Sequence, residues 1–318
     1  MRRFLTKVAL LTSIIVVLFL ALEFAITQGL KQSNSQTFMD WNKLYQGKIN
    51  ADVIINGSSK AMVHISPKIL DSVLQVPSYN LGINGHDFYM QNAKYNAYET
   101  HNNAPKLIVQ VVSNGTLQKR EDLYQYEQFL PYLQDDSFLT TTTQAYIGLN
   151  FFDYHLPFVR YFGQRALMKE GVLNFLNLSE SLPDSVKYKG YRPNDSEWDN
   201  SFELFVKYTP NGKEIALSDT SIQLFKHFIQ KQQEKKVPIV LVYPPTYHES
   251  QQYINNRAEI IALYQKIAQQ YNILFLDYSQ LSINKEKRFF YNSQHLNQKG
   301  AEIFSRQLAK DLSTHFSF

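Results

Sequence analysis

The sequence predicts an α/β fold: a parallel sheet in three layers, with helices on both faces, behind an apolar N-terminal helix. Three observations carry this expectation. From Val8 to Leu22 the chain holds no charge and is almost wholly apolar. Further on, short apolar runs without polar alternation, such as Lys106–Val112 (KLIVQVV) and Val237–Tyr243 (VPIVLVY), have the pattern of strands buried on both faces. Between them lie stretches with apolar residues at helical spacing, and such alternation implies parallel strands joined by helical crossovers.

Taken in order, the N-terminal run is interrupted by Glu23 and resumes from Phe24 to Leu30, with Arg2, Arg3 and Lys7 before it. A helix of about 20 residues spans a bilayer, and basic residues before it favour a cytoplasmic N-terminus. Phe4–Gly29 therefore reads as one spanning anchor. Residues 1–31 form the cytoplasmic tip and anchor, and residues 32–318 an extracytoplasmic domain, periplasmic or at the cell surface. A cleaved signal peptide is the rival, but Ala21-Leu22-Glu23 and Phe24-Ala25 make poor small-residue cleavage sites. A buried core helix suits neither the terminal position nor the basic flank.

Asp52–Asn56 (DVIIN) is a short strand that stops at Gly57. Ser66-Pro67 is an N-cap and N1 pair that opens a helix to about Leu74. Ser78–Leu81 is a short extended run before Gly82 and Gly85, and His86 to His101 fits a helix. After the strand at 106–112 the rhythm is lost from Thr116 to about Ile215. That stretch is rich in Tyr and Phe, and reads as a mostly helical insertion that caps or walls the site. Its aromatics read first as its own core and second as platforms for sugar rings. The rhythm returns with a helix from Ser218 to Lys236, with Ile222, Phe225 and Ile229 on one face. The strand Val237–Tyr243 stops at Pro244-Pro245; Ile260, Leu263, Tyr264 and Ile267 mark a helix; Ile273–Leu276 is a strand ending at Asp277. The last helix runs from Gln298 to about His315, with Phe304, Leu308 and Leu312 on one face.

Composition narrows the chemistry. Lys+Arg 32 against Asp+Glu 28 is too mild a surplus for a nucleic-acid protein. The absence of cysteine excludes disulfides, thiolate metal sites, a cysteine nucleophile and a lipoprotein anchor. His64, His86, His101 and His248 are scattered, without the pairing of a zinc helix. No dinucleotide or phosphate-binding loop follows a strand. No metal or diffusible cofactor is implied.

In parallel sheets the ligand sits beyond the carboxyl ends of the strands. Four strand exits or loops carry chemistry here: Gly57-Ser58-Ser59-Lys60, Asn80-Leu81-Gly82-Ile83-Asn84-Gly85, Ser113-Asn114-Gly115, and Tyr291 to Asn297 before the last helix. Together they hold the parts of a serine acyl-transfer site. Ser59 is the candidate nucleophile and His295 its general base. The amides of Ser59 and Gly85 and the side chain of Asn114 are candidate oxyanion donors. Lys60, beside the nucleophile, either favours an anionic substrate or is simply solvated. His64 and His86 lie near the proposed site and are candidates to line it, with a helix-surface role as the plainer reading of both.

This ordered set resembles the SGNH/GDSL hydrolase family. Gly57-Ser58-Ser59 is similar to its first block, with Ser58 where Asp usually stands; Asn80–Gly85 resembles the second, Ser113-Asn114 the third more loosely, and His295 with Leu296, Asn297, Gly300 and Ala301 the fourth. The resemblance covers residues 50–115 and 237–318. It implies a flavodoxin-like three-layer fold and ester hydrolysis or O-acyl transfer through a seryl intermediate. The family's acid stands three residues before the histidine, where this chain has Asn292. Three readings stay open: a Ser59–His295 dyad oriented by Asn292, a carboxylate supplied by Asp277 from another strand exit, or a pocket that binds without turnover. For Asp277, a turn cap is the plainer role.

A narrower resemblance, to the membrane-anchored partners of bacterial membrane-bound O-acyltransferases, rests on the anchor, the Gly-Ser-Ser-Lys block and the terminal His-Leu-Asn-x-x-Gly-Ala. It implies an acylated envelope polysaccharide or small ester as substrate, a membrane O-acyltransferase as partner, and a bilayer held through the N-terminal helix. The alternative it leaves is a non-catalytic glycan-binding or scaffold protein.

Overall fold

The computed structural model describes residues 1–179 and 187–318. Helices α1 (Arg2–Leu30) and α2 (Met39–Tyr45) open the chain. Strand β1 (Val53–Asn56) turns through Gly57 and Ser58 into α3 (Ser59–His64). Helix α4 (Pro67–Leu74) starts at the Ser66-Pro67 pair, where proline costs nothing because the first helical amide has no partner. Then come β2 (Ser78–Asn80), α5 (Phe88–His101) and β3 (Leu107–Val111). The aromatic insertion follows, and its regular helices are α6 (Ser137–Thr143), α7 (Phe151–His155), α8 (Arg165–Phe175) and α9 (Ser201–Tyr208). Residues 180–186 of that insertion lie outside the described residues. Helix α10 (Asp219–Glu234) is capped by the Ser218 hydroxyl, which accepts from the Ser221 amide, and leads into β4 (Ile239–Tyr243). The rest is α11 (His248–Gln251), α12 (Arg257–Gln270), β5 (Leu274–Asp277), the short pair β6 (Phe290–Asn292) and β7 (His295–Leu296), and α13 (Gln298–His315).

Two compact units result: Met1–Gln46 with Glu121–Ser185, and Gly47–Arg120 with Val186–Phe318. The second holds a five-stranded parallel sheet in the order β2-β1-β3-β4-β5. Its three central strands are buried at every position, as their unbroken apolar runs require. Val53, Ile55, Val109, Val111, Val240 and Val242 face Leu70 and Leu74 of α4 and Phe304, Leu308 and Leu312 of α13. Residues of opposite parity, Ile54, Ile108 and Leu241, are as deeply buried on the other face. Aromatic packing joins α5 to α10, with Phe88 edge-on to Phe225 at 4.7 Å. The order reverses between β1 and β3, the switch point at which doubly wound sheets bind ligands.

In the other unit Phe129 and Tyr132 of the insertion pack on Trp41 and Tyr45 of α2, with Tyr45 and Tyr132 rings stacked 4.4 Å apart and Phe129 edge-on to Trp41. Phe151 and Phe152 do not join them and stay exposed. The most apolar 18-residue stretch of helix α1 has a mean hydropathy of 2.6, and the helix is long and apolar enough to cross a membrane. Its 29 residues measure about 43 Å at about 1.5 Å each, more than the ~30 Å hydrocarbon core needs. The surplus is used in packing. Residues 2–20 are exposed, whereas Glu23, Ile26, Thr27, Gly29 and Leu30 are buried, and Gly29 and Gly171 let the backbones of α1 and α8 approach so closely that a side chain at either would meet the other helix. The expected span Phe4–Gly29 thus includes a C-terminal third that contacts protein. Glu23, which breaks the apolar run, pairs with Arg160 at 2.7 Å with both side chains buried, and its second oxygen accepts from the Phe158 amide at 3.1 Å.

Candidate active site

Ser59 is the first residue of α3, directly beyond the carboxyl end of β1. Its Oγ lies 2.9 Å from His295 Nε2, across 236 residues of sequence. His295 sits on β7, where the antiparallel register sets it opposite Asn292 of β6. Asn292 Oδ1 accepts from the Gln294 amide at 3.0 Å, closing the turn between the two strands, and lies 3.0 Å from His295 Nδ1. The Gln294 contact identifies that atom as the oxygen, so Nδ1 carries the imidazole proton and Nε2 is free to accept from Ser59. Tyr291 stacks parallel to the His295 ring at 5.4 Å.

Burial pushes the His295 pKa down to about 3, the Lys60 ammonium pushes it further the same way, and the Asp199 carboxylate partly opposes them. The ring is therefore neutral near pH 7: free to take a proton, and poorly supported in holding one.

Asp277 is not brought to His295. It is exposed at the end of β5, and its Oδ1 accepts from the Ser279 amide at 2.9 Å, the local turn bond that Asp side chains favour. Of the two groups considered for orienting the imidazole, the one at Nδ1 is Asn292.

The second block is held against the first. Leu81 and Ile83 donate to the carbonyls of Ile55 and Gly57 at 2.8 and 3.0 Å, so the chain from β2 runs beside the loop that carries Ser59. Asn80 donates to the carbonyls of Ala61 and Ile65 and accepts from the Gly82 amide, bracing α3 rather than facing a ligand. Gly85 closes the segment at φ 73°, a conformation that favours glycine. Its amide meets no acceptor among the described residues. Asn114 lies just beyond β3, with its Oδ1 accepting from the Tyr243 hydroxyl at 2.7 Å. That bond turns the amide NH2 away as a free donor.

Several residues at this site lie in surroundings that their local sequence does not suggest. His64 is fully buried, not on a helix surface: its Nε2 accepts from the Leu296 amide at 3.1 Å and its ring lies edge-on to His295 at 5.9 Å. Burial, then His295 and Lys60, hold its pKa well below the ordinary value, so it is a neutral brace for β7. His86 is likewise buried. Lys60 is not solvated: it is 6% exposed, and desolvation followed by the nearby Arg257 charge lowers its pKa to about 7. Tyr243 neighbours both cations, with Lys60 Nζ 6.0 Å and the Arg257 guanidinium 5.6 Å from its ring. Under the loop, Asn56 donates to Gln110 at 2.8 Å, a buried amide pair in adjacent strands.

No protein-family model matches the chain, and no curated protein does. Among solved structures, a possible lipase from Chitinophaga pinensis aligns with 84% of this chain and 99% of its own at 10% identity and a TM-score of 0.39.

Proposed function

We propose that this chain is a membrane-anchored serine esterase or O-acyltransferase of SGNH type that works on acyl esters of envelope glycans outside the cytoplasm. The observation that carries the reading is the hydrogen-bonded series Asn292–His295–Ser59, with a proton on Nδ1 and an acceptor at Nε2. In this reading the Ser59 hydroxyl gives its proton to Nε2 as Oγ attacks the acyl carbonyl. The oxyanion is met by the amides of Ser59 and Gly85 and the side chain of Asn114. Collapse breaks the ester C–O bond, and the leaving alcohol takes the proton back from His295. Water or an acceptor hydroxyl then attacks the acyl-serine by the reverse series, giving hydrolysis or transfer. The exposed, apolar stretch of α1 supports the anchor, and the resemblance of the blocks supports the envelope glycan and a membrane O-acyltransferase as partner.

The test is a fluorophosphonate probe, which labels activated serines, applied to the full chain in detergent micelles. The parent and Asp277→Asn are expected to label, and Ser59→Ala and His295→Ala are not. A folded parent that stays unlabelled would move the reading to the non-catalytic glycan-binding or scaffold protein, which the uncharged Asn292 favours.

A further inference from the structure

We propose that Lys60 and Arg257 form an oxyanion subsite beside Ser59, so that the substrate of this site is an ester bearing a carboxylate or phosphate group. The proposal rests on the esterase reading for the word substrate, but its geometry stands alone. Lys60 follows the candidate nucleophile in sequence and is buried, yet no carboxylate pairs with it among the described residues. Buried lysines are almost always paired, because an ammonium out of water is costly unless it is compensated. Arg257, at the start of α12, has its guanidinium 5.6 Å from the Tyr243 ring, while its Nε and one Nη are buried without any partner. Those two atoms form the edge of the guanidinium that grips a carboxylate or phosphate in two parallel bonds. Two cations thus lie near one tyrosine ring, and the Arg257 charge disfavours protonation of Lys60.

The same tyrosine ties this pair to the reaction centre, since its hydroxyl donates to Asn114, the candidate oxyanion donor. An oxyanion bound at the empty Arg257 edge satisfies that edge and offsets the repulsion that disfavours the charged form of Lys60. It also cancels the Lys60 field that opposes protonation of His295. A neutral ester leaves all of these groups unsatisfied. The subsite therefore selects by charge, and a site built to pair a group rejects the analogue that lacks it.

Binding is measured on the full chain carrying Ser59→Ala, so the result does not depend on turnover. The probes are inorganic phosphate and glucuronate, titrated by calorimetry, with glucose as the uncharged control. At least one anion is expected to bind and glucose is not. Lys60→Met and Arg257→Gln are each expected to weaken binding about tenfold or more, the scale of one charge-assisted hydrogen bond, and Lys60→Arg is expected to restore most of it. Lys60→Met relieves an unpaired buried charge, so it is expected to fold at least as stably as the parent, which thermal unfolding checks. Glucuronate alone assigns a carboxylate, and phosphate alone a phosphate group. No binding of either anion, or equal binding in all variants, overturns the proposal. A parent that binds anions in this way but never labels at Ser59 keeps the subsite and removes the esterase reading.

Discussion

Asn292→Asp tests whether charge at Nδ1 limits this site. The substitution is nearly isosteric, and the oxygen that accepts from the Gln294 amide is retained, so β6, β7 and the imidazole tautomer should persist. What changes is a negative charge beside a ring that burial and Lys60 hold at a pKa of about 3. The Nδ1–Oδ1 distance of 3.0 Å puts the charge centres about 4 Å apart, an attraction of about 4 kcal/mol at an effective dielectric near 20. At about 1.36 kcal/mol per unit, that is about 3 pKa units, and the cost of burying the carboxylate offsets about one of them. The His295 midpoint is therefore expected near 5, read from its ring proton in an NMR titration. A base that holds its proton better speeds the attack of Ser59, so fluorophosphonate labelling at pH 7 should rise about tenfold, well under the ~10⁴ measured for the reverse swap in a full triad. A His295 midpoint that stays put, or moves while labelling does not, would refute the reasoning.

Acid should destabilise the fold through its neutral histidines. His64 and His295 titrate lower folded than unfolded, so the unfolded chain binds more protons and stability is lost as pH falls below about 6.5, at up to ~1.4 kcal/mol per pH unit for each. His64→Gln keeps an acceptor for the Leu296 amide but takes up no proton, and should flatten the stability–pH slope between pH 7 and 5; an unchanged slope would show that His64 is not held neutral. Glu23→Ala leaves the Arg160 guanidinium buried and uncompensated, and should cost about 3–5 kcal/mol. Its readout is thermal unfolding in detergent, where an unmoved midpoint would mean the pair is hydrated. Gly82→Ala puts a methyl carbon 2.5 Å from the Met62 amide nitrogen, and should shift α3 at about 1–3 kcal/mol. Ser59 labelling should fall although no reacting group is touched, and full labelling at parental stability would show that the loop yields freely.

The strands at 53–56, 107–111 and 239–243 were legible because strands buried on both faces leave an unbroken apolar run. A helix start was legible where a local rule fixes it, at Ser66-Pro67, whereas the Asn297 side chain that caps α13 by accepting from Gly300 emerged only in the structure. The Ser59 and His295 loops could be picked out because parallel topology sends function to strand exits. Asp277 met the same criterion and is held away by its own turn bond, since a strand exit says nothing of where a side chain points.

Hydropathy alone determined that α1 is apolar, yet could not divide it into an exposed part and a packed part. Lipid and protein interior reward the same side chains, and only the paired Glu23 marks the change. The environment of a charge was decided wholly by tertiary structure. Lys60 reads as an ordinary polar residue in its local sequence, and becomes a buried cation only because the folded chain packs around it, with Arg257 brought near the same Tyr243 ring. Periodicity, caps and turns are set by neighbours along the chain, and the sequence by itself determines them. Desolvation and electric field are set by neighbours in space, and folding alone brings those together.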